Sequence, residues 1–490
     1  MMDMPPQIRQ DMEEEMSPDN EDELLSSVDK IRGMSLEGKS GMGPAEDFLN
    51  SLGRFTVKHS YEATVDFLHY IGDPDREMKI IHVAGTNGKG SVCSYLTSIL
   101  RASGYHVGTF TSPHIVDIRE RFAIDGNMVS ESGFLDAFKE ILCRVMAYRA
   151  SDIKRADYFP TYFEYLFFMA MVIYRDEPVD YLILEVGLGG RLDATNSVET
   201  TLLSVITEIG LDHMQYLGES YAQIAGEKAG IIRRATPLVF FDKRPESTDA
   251  ILHRAEELHA PFRRVSASMI KRICPGSLEN RDSKAKGTLG RIDFCYESEY
   301  YKYVSLTLNT YASYQMENAA LAVTAAEELG RMGADISEED IVKGLANSFW
   351  TCRMEELYPG FFVDGAHNED GMTAFLSSAG EIDCIGRKHL IFGVVADKQY
   401  MNMVSMILGS GVFDTISAAV LGTSRTVSEE ELRKAFEIGK DTGCSVSFFD
   451  DVKSAVDYVR HMAGKEDQIY AAGSLYLAGQ IREMIVDDQF

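Results

Sequence analysis

The stretch Ile80-Ile-His-Val-Ala-Gly-Thr-Asn-Gly-Lys-Gly-Ser91 decides how the rest of the chain is read. Its apolar start (Ile80, Ile81, Val83) has the character of a buried strand, and Val92 to Leu100 has the spacing of a helix. A glycine-rich turn between strand and helix brings backbone N–H groups and the positive end of the helix dipole to one point. Lys89 adds a mobile cation for β- and γ-phosphates, and Ser91 a hydroxyl for Mg2+. Gly85, Thr86, Asn87, Gly88, Lys89, Gly90 and Ser91 are therefore candidate ATP-binding residues. The run departs from the general GxxxxGK(S/T) pattern, because Val83 stands at the first glycine position and Gly90 at the Ser/Thr position. By spacing alone, a variant phosphate loop and an ordinary glycine turn both stay open.

Outward from this turn, strand and helix patterns alternate. Strands are predicted at 79–84, 105–110, 180–186, 201–207 and 237–241, with helices at 91–102, 131–148 and 161–175. Apolar strands in βαβ alternation imply a largely parallel sheet covered on both faces. A polar interruption at 276–290 precedes two strand-like runs, 291–297 and 302–308, that read as a hairpin closing the first domain. A second series follows a new helix near 318–329, with strands near 361–364, 388–393, 414–421, 444–449 and 468–472. The predicted fold class is thus α/β: a mostly parallel, P-loop-type ATPase sheet at 45–308, then a smaller Rossmann-like α/β domain at 309–490. Residues 1–44 read as an acidic, poorly ordered extension with one short helix near 23–31.

Composition narrows the function. At 490 residues the chain exceeds one ordinary core. A net charge of −28 argues against a general binder of nucleic acid or anionic membrane, so anionic substrates need locally basic pockets. Seven scattered cysteines without a C-x-x-C fit reduced thiols better than a disulfide framework or a zinc site. The richest apolar run, Tyr162 to Tyr174, contains Glu164 and is too short to span a bilayer. The expectation is a cytoplasmic monomer with neither a membrane span nor a secretory leader.

Further residues carry two readings each. Thr111-Ser-Pro-His114 with Arg119 and Arg121 is either a ligand loop after the second strand or a Ser-Pro turn with solvated charges. Glu164, on an otherwise apolar helix, is either a metal ligand or a first-turn cap. Asp193 and Asn196 follow a strand at the edge where open α/β sheets bind ligands, yet the same residues make turn bonds. His213 reaches the same edge or is structural, and Lys228 by composition is a surface charge on a helix.

The string Gly85-Thr-Asn-Gly-Lys-Gly-Ser91 resembles the ATP loop of the folylpolyglutamate synthase and dihydrofolate synthase family, a branch of the Mur ligase superfamily. Six further segments resemble that family in order, from about 45 to 478. The resemblance implies that the Thr111–Arg121 loop, including Ser112, Pro113 and His114, lies near the pterin end of the folate. It makes Glu164 a Mg2+ ligand. The segment Ile209 to Gly218 is similar to the family string that assigns His213 to a second Mg2+. The segment Gly226-Glu-Lys-Ala-Gly-Ile231 implies that Lys228 is carbamylated and supplies an oxygen ligand. In the second domain, Cys352-Arg-Met-Glu355 and Asp364-Gly-Ala-His-Asn368 imply that Arg353 reaches ATP phosphates, Asp364 the ribose and His367 the phosphate end. Gln315 and Asn318 match the nucleotide segment, although Tyr314 replaces its usual histidine and Cys352 a usual glycine. Gly393, Asp397-Lys398, Ser424-Arg425 and Gly473-Ser-Leu-Tyr476 complete the series.

These parts suit an acyl phosphate made from a carboxylate and ATP, with Lys89, Lys228, Arg353 and His367 as the catalytic set. The resemblance implies reduced folate and L-glutamate as partners, ATP and Mg2+ (two sites) as cofactors, and closure of the second domain over the first to exclude water. It leaves open a bifunctional enzyme that also joins dihydropteroate to L-glutamate. A Mur ligase acting on a peptidoglycan precursor is disfavoured, since only about 80 residues precede the loop. A non-catalytic nucleotide binder is disfavoured because Lys89, Ser91, Glu164, His213 and Lys228 are all present.

Overall fold

Each apolar run ahead of a glycine turn becomes a central strand. The computed structural model describes residues 42–52, 60–273, 290–396, 400–422, 426–437 and 443–487. The extension up to residue 41, including the short helix expected near 23–31, most of the interruption at 276–290, Asp397-Lys398 and Ser424-Arg425 lie outside the described residues.

The first sheet contains β1 (Ile80–Ala84), β2 (Val107–Phe110), β3 (Phe122–Ile124), β4 (Asn127–Met128), β5 (Tyr181–Glu185), β6 (Leu203–Ile206), β7 (Leu238–Phe241) and β8 (Phe262–Val265), in the order β4-β3-β2-β5-β1-β6-β7-β8. From β2 to β8 every pairing is parallel, with Ile81 opposite Ile183 on one side and Leu203 on the other. Such strands are buried on both faces, which is why they read as continuous apolar runs. β3 and β4 add an antiparallel edge. β1 is central, flanked by β5 and β6, so the turns after β1, β2, β5 and β6 converge on one crevice at the carboxyl edge.

The predicted hairpin exists as β10 (Ile292–Glu297) against β11 (Lys302–Leu308), and β9 (Ile270–Arg272) extends it to three strands. The second large sheet contains β12 (Glu355–Tyr358), β13 (Phe361–Val363), β14 (Lys388–Phe392), β15 (Thr415–Ala419), β16 (Ser445–Phe449) and β17 (Gln468–Ala472), in the order β12-β13-β17-β14-β15-β16. It is parallel except for the β12–β13 edge.

Packing moves the division between the lobes. The helices Gln315–Arg331 and Glu338–Asn347 were expected with the C-terminal unit, but they join the first lobe's core. Ala319, Ala322, Val323, Ala326 and Leu345 share one apolar cluster with Ile81, Val83, Leu96 and Ile99. Sequence order placed these helices after the hairpin, whereas their small and aliphatic faces fit the helix Lys89–Ala102. On packing, the second lobe starts after Asn347. The helix Tyr162–Asp176 is buried on nearly all sides, which explains its apolar composition.

Candidate functional site

The helix of the phosphate loop begins at Lys89, with Gly88 as its N-cap at φ 86, a left-handed conformation that glycine adopts freely. A Cβ at Gly88 would also meet the Asn318 side chain at 2.1 Å. The loop is tied to the turn after β6, since Thr86 N donates to the Glu208 carbonyl (2.8 Å) and Thr207 Oγ1 to the Asn87 carbonyl (2.7 Å). Lys89 Nζ folds back over the loop onto the carbonyls of Gly85 (3.2 Å) and Thr86 (3.3 Å). The first amides of the helix and this ammonium thus share one mouth, the geometry that suits an anion. Ser91 Oγ accepts from Gln315 Nε2 (3.0 Å), and Gln315 Oε1 accepts from Asn318 Nδ2 (3.0 Å).

At the end of β5 stands Glu185, buried, with its Oε2 accepting from Ser112 N (3.1 Å). Burial raises its pKa, while the cations of Lys89, Arg353 and Arg121 favour its charged form. Three cations from three segments therefore act on one buried carboxylate. The sequence reading assigns Glu185 no role; an acid ending a fully buried strand at the ligand edge was the available signal.

The loop 111–121 is strongly self-bonded. Glu120 accepts from the amides of Ile115, Val116 and Asp117. Arg121 is buried and donates from Nε to His114 Nδ1 (2.9 Å), its guanidinium 5.7 Å from the Tyr162 ring. Thr111 donates its amide to the Arg121 carbonyl (3.1 Å). Arg119 instead holds Asp117 through Nη2 (2.6 Å) and Nε (3.1 Å), so its charge is spent inside the loop.

Beyond β6, Asp212 meets the second lobe. Asn368 Nδ2 donates to Asp212 Oδ2 (3.2 Å) and to Asn87 Oδ1 (3.0 Å), and His367 Nε2 lies 3.8 Å from Asp212 Oδ2. Enclosure works against charge on His367, but the Asp212 carboxylate outweighs it and holds the ring above its ordinary pKa. His213 follows in a left-handed conformation, and the charges of Asp212, His367, Lys89 and Lys228 all act on it. Lys228 ends the helix Tyr221–Lys228, is buried, and donates from Nζ to the Gly85 carbonyl (2.7 Å). Burial and the nearby Lys89 ammonium push its pKa down to about 7. Asp212 and Asn368 stand inside quoted strings but have no role there, because a two-lobe contact leaves no local spacing.

In the second lobe, Asp364 is buried and accepts from Tyr314 Oη (2.7 Å), Met354 N (2.9 Å) and Ala366 N (2.8 Å). Cys352 keeps φ at 54, the left-handed conformation for which the usual glycine is suited. Arg353 lines a cavity of about 140 Å³ together with Ser91, Tyr95, Gln315, Phe349 and Trp350. That cavity opens beside the phosphate loop, between the first lobe and β12.

Three expectations are corrected. Glu164 closes a capping box: its Oε2 accepts from Thr161 N (2.7 Å) and its Oε1 from Thr64 Oγ1 (2.7 Å). Both oxygens are used at the helix start, so the cap reading holds and the metal reading does not. Asp193 accepts from Leu188 N (2.8 Å), Thr195 N (3.0 Å) and Thr195 Oγ1 (2.6 Å), and Asn196 Nδ2 donates to the carbonyls of Arg191 (3.1 Å) and Gly230 (3.3 Å). Those side chains build the 186–198 turn, the alternative left open in the sequence. Arg119 is neutralised by Asp117 and is withdrawn from the ligand set. Glu164→Ala is expected to lower stability by about 1 kcal/mol through the lost cap, with the Mg2+ dependence of turnover unchanged. Thermal melting and a Mg2+ titration check this, and a sharply raised Mg2+ requirement would restore the metal reading.

Among the described residues, no group of three or more His, Cys, Asp or Glu side chains is gathered around a metal position. Mg2+ keeps several waters and takes one or two carboxylates plus phosphate oxygens. The buried Glu185 carboxylate and the Ser91 hydroxyl are oxygen donors of that kind, so the residues fit Mg2+ carried in with a nucleotide. No helix among the described residues is long and apolar enough to cross a membrane.

Comparison with known proteins agrees with this geometry. Residues 83–326 match the Mur ligase middle domain and residues 353–475 the Mur ligase glutamate ligase domain. The chain is 31% identical over 445 residues to the dihydrofolate synthase/folylpolyglutamate synthase of Bacillus subtilis, covering 90% of this chain and 98% of that one. It is 28% identical to the folylpolyglutamate synthase of Lacticaseibacillus casei, covering 90% and 97%. Among solved structures it is similar to Escherichia coli FolC in complex with DHPP and ADP, with a TM-score of 0.73, 28% identity and coverage of 95% and 98%. It is also similar to Mycobacterium tuberculosis folylpolyglutamate synthase complexed with ADP, with a TM-score of 0.77, 25% identity and coverage of 94% and 99%.

Proposed function

Since the chain belongs to the dihydrofolate synthase/folylpolyglutamate synthase family of Mur ligases, we propose that it joins L-glutamate to the γ-carboxyl of a reduced folate at the expense of ATP. The single observation that carries the reading is the meeting of Lys89, Glu185, Lys228 and the Asp212–His367 pair at one crevice between the lobes. The products are ADP, phosphate and an amide.

The chemistry follows from the charges. ATP lays its phosphates on the 85–91 turn, where the helix amides and Lys89 meet the growing charge of the transferring γ-phosphoryl group. The folate carboxylate attacks phosphorus, ADP leaves, and an acyl phosphate forms. The amine of glutamate then adds to the acyl carbon, and phosphate departs from the tetrahedral intermediate. Arg121 and Arg353 converge on the Glu185 region from opposite lobes and suit the anionic carboxyl and phosphate groups. The cavity beside Ser91, Gln315 and Trp350 adjoins the phosphate loop and suits the nucleoside end of the nucleotide by its position. Asp364, already bonded to Tyr314, orders the Cys352–Met354 segment that presents Arg353. His367, held charged by Asp212, suits the phosphate end.

Mg2+ bound with the nucleotide supplies neutralisation of phosphate oxygens, with Ser91 and Glu185 as its donors. His213 and a carbamate on Lys228 are the candidates for a second ion. Glu185→Gln keeps the Ser112 contact but removes the charge, so it is expected to raise the Mg2+ concentration for half-maximal rate at least tenfold. An unchanged Mg2+ curve would leave Glu185 a structural strand end.

The Bacillus subtilis relative carries both activities in its name, which favours a second reading in which dihydropteroate is also an acceptor. Glutamate-dependent ADP release, measured with tetrahydrofolate and then with dihydropteroate, separates the cases. Stimulation by the first alone gives a monofunctional enzyme, by both a bifunctional one. Stimulation by neither removes the folate assignment.

A further inference from the structure

An acyl phosphate must be shielded from water, so something must hold the two lobes together while it exists. Arg244, to which no motif points, stands at that junction. It is the N-cap residue of the helix Pro245–Glu257, just past β7. Its Nη2 donates to Asp370 Oδ1 of the second lobe (2.6 Å), and its Nη1 to the Ile209 carbonyl (2.8 Å). The guanidinium carbon stacks 4.5 Å from the ring centroid of Tyr221.

Each of those three contacts leads into the crevice. Ile209 begins the turn that continues to Asp212 and His213. Tyr221 begins the helix that ends at Lys228. Asp370 sits in the first turn of the helix Glu369–Glu381, whose N-cap Asn368 bonds Asn87 and Asp212. Glu208, 3.5 Å from Arg244 Nη1, takes the Thr86 amide on its carbonyl. One planar cation therefore touches the segments that carry Asp212, His213, Lys228 and Asn368.

The fit is close as well as charged. A Cβ at Gly210 would fall 2.4 Å from Asp370 Oδ2, so the turn admits Asp370 only because position 210 lacks a side chain. The Arg244 and Asp370 side chains are 23% and 19% exposed, which screens their attraction less than at an open surface. Without the guanidinium, the acids Glu208 and Asp370 would face each other across the lobes with, among the described residues, only the Lys243 ion pair on Glu208 to offset them. A lysine at 244 could not fork to a carbonyl and a carboxylate while stacking on a ring.

We propose that Arg244 is a positioning residue that clasps the lobes in their closed arrangement, through Asp370, and so protects the acyl phosphate for attack by the amine. The inference rests on the ligase reading above, but one of its two tests does not. In small-angle X-ray scattering with a non-hydrolysable ATP analogue, Arg244→Met and Asp370→Asn are each expected to give a larger radius of gyration than the wild type. In the ligation assay, Arg244→Met is expected to lower kcat roughly 10–100-fold with the KM for ATP within about twofold. Phosphate released per amide formed is expected to rise above one, because water then returns the acyl phosphate to carboxylate and phosphate. The double variant is expected to cost no more than either single one, as for two halves of one contact. Arg244→Lys, run in parallel with an intermediate effect expected, keeps the test decisive if the methionine variant does not fold. Unchanged scattering together with one phosphate per amide in the variants would overturn the clasp. A wild type that makes no amide from pterin substrates would overturn the ligase reading instead, and the scattering comparison would still decide the clasp.

Discussion

Lys89→Ala is expected to reduce kcat by on the order of 10³-fold, about 4 kcal/mol of transition-state stabilisation. The side chain lies within its own loop, held by the carbonyls of Gly85 and Thr86, and contributes little to the core. Thermal stability should therefore stay close to that of the wild type while turnover is lost, a split that a folding defect would not give. The size of the effect follows from position. The crevice lies between lobes, where a charge is worth several times its value in water, and the γ-phosphoryl group develops charge beside the ammonium as it transfers. Binding of ADP should weaken less than kcat falls, because the helix amides still hold the phosphates. Steady-state kinetics with a melting curve decides the matter, and wild-type kcat in the alanine variant would place the phosphates elsewhere.

How far the sequence carried this picture depended on locality. The parallel strands were legible because burial on both faces leaves uninterrupted apolar runs, as at Ile80–Ala84 and Tyr181–Glu185. β4 was missed because two exposed residues leave no pattern, and β8 because Phe262-Arg-Arg-Val265 places two charges inside the strand. The helices after Asn309 were given to the wrong lobe because order along the chain does not say which face a helix will cover. Among site residues, the contiguous 85–91 turn and Lys228 were singled out by their strings, and the structure places them in hydrogen-bond contact at Gly85. Glu164 misled because a lone acid on an apolar helix demands a partner, and the sequence cannot tell a cap from a metal. Glu185, Asp212, Asn368 and Arg244 acquire meaning only when distant segments meet. Arg244 is the extreme case: its contacts lie at 209, 221 and 370, in three segments distant from it along the chain.

The same locality leaves Lys228 with the sharpest chemical expectation. Its Nζ donates to the Gly85 carbonyl, the acceptor that Lys89 also uses, and no ion pair joins it to an acid among the described residues. With its pKa pushed down to about 7 by burial and by Lys89, the neutral amine is far more populated near neutral pH than in an ordinary lysine, where it is roughly one part in a thousand. A neutral amine is what CO2 requires: nitrogen adds to carbon, one proton is released, and the amine becomes an anionic, carboxylate-like ligand. Activity is therefore expected to depend on bicarbonate. Protein depleted of CO2 below pH 6 should be nearly inactive when assayed at once. It should recover on incubation with bicarbonate at pH 8, with a carbamate resonance appearing from the carbon-13-labelled reagent. Lys228→Ala should lose about 10²-fold or more in kcat and show no bicarbonate response. In Lys89→Ala the repelling ammonium is gone, so the pH at which bicarbonate restores the carbamate resonance should move upward. Full activity in rigorously CO2-free buffer, with no carbamate resonance at any pH, would make Lys228 a plain hydrogen-bond donor to Gly85.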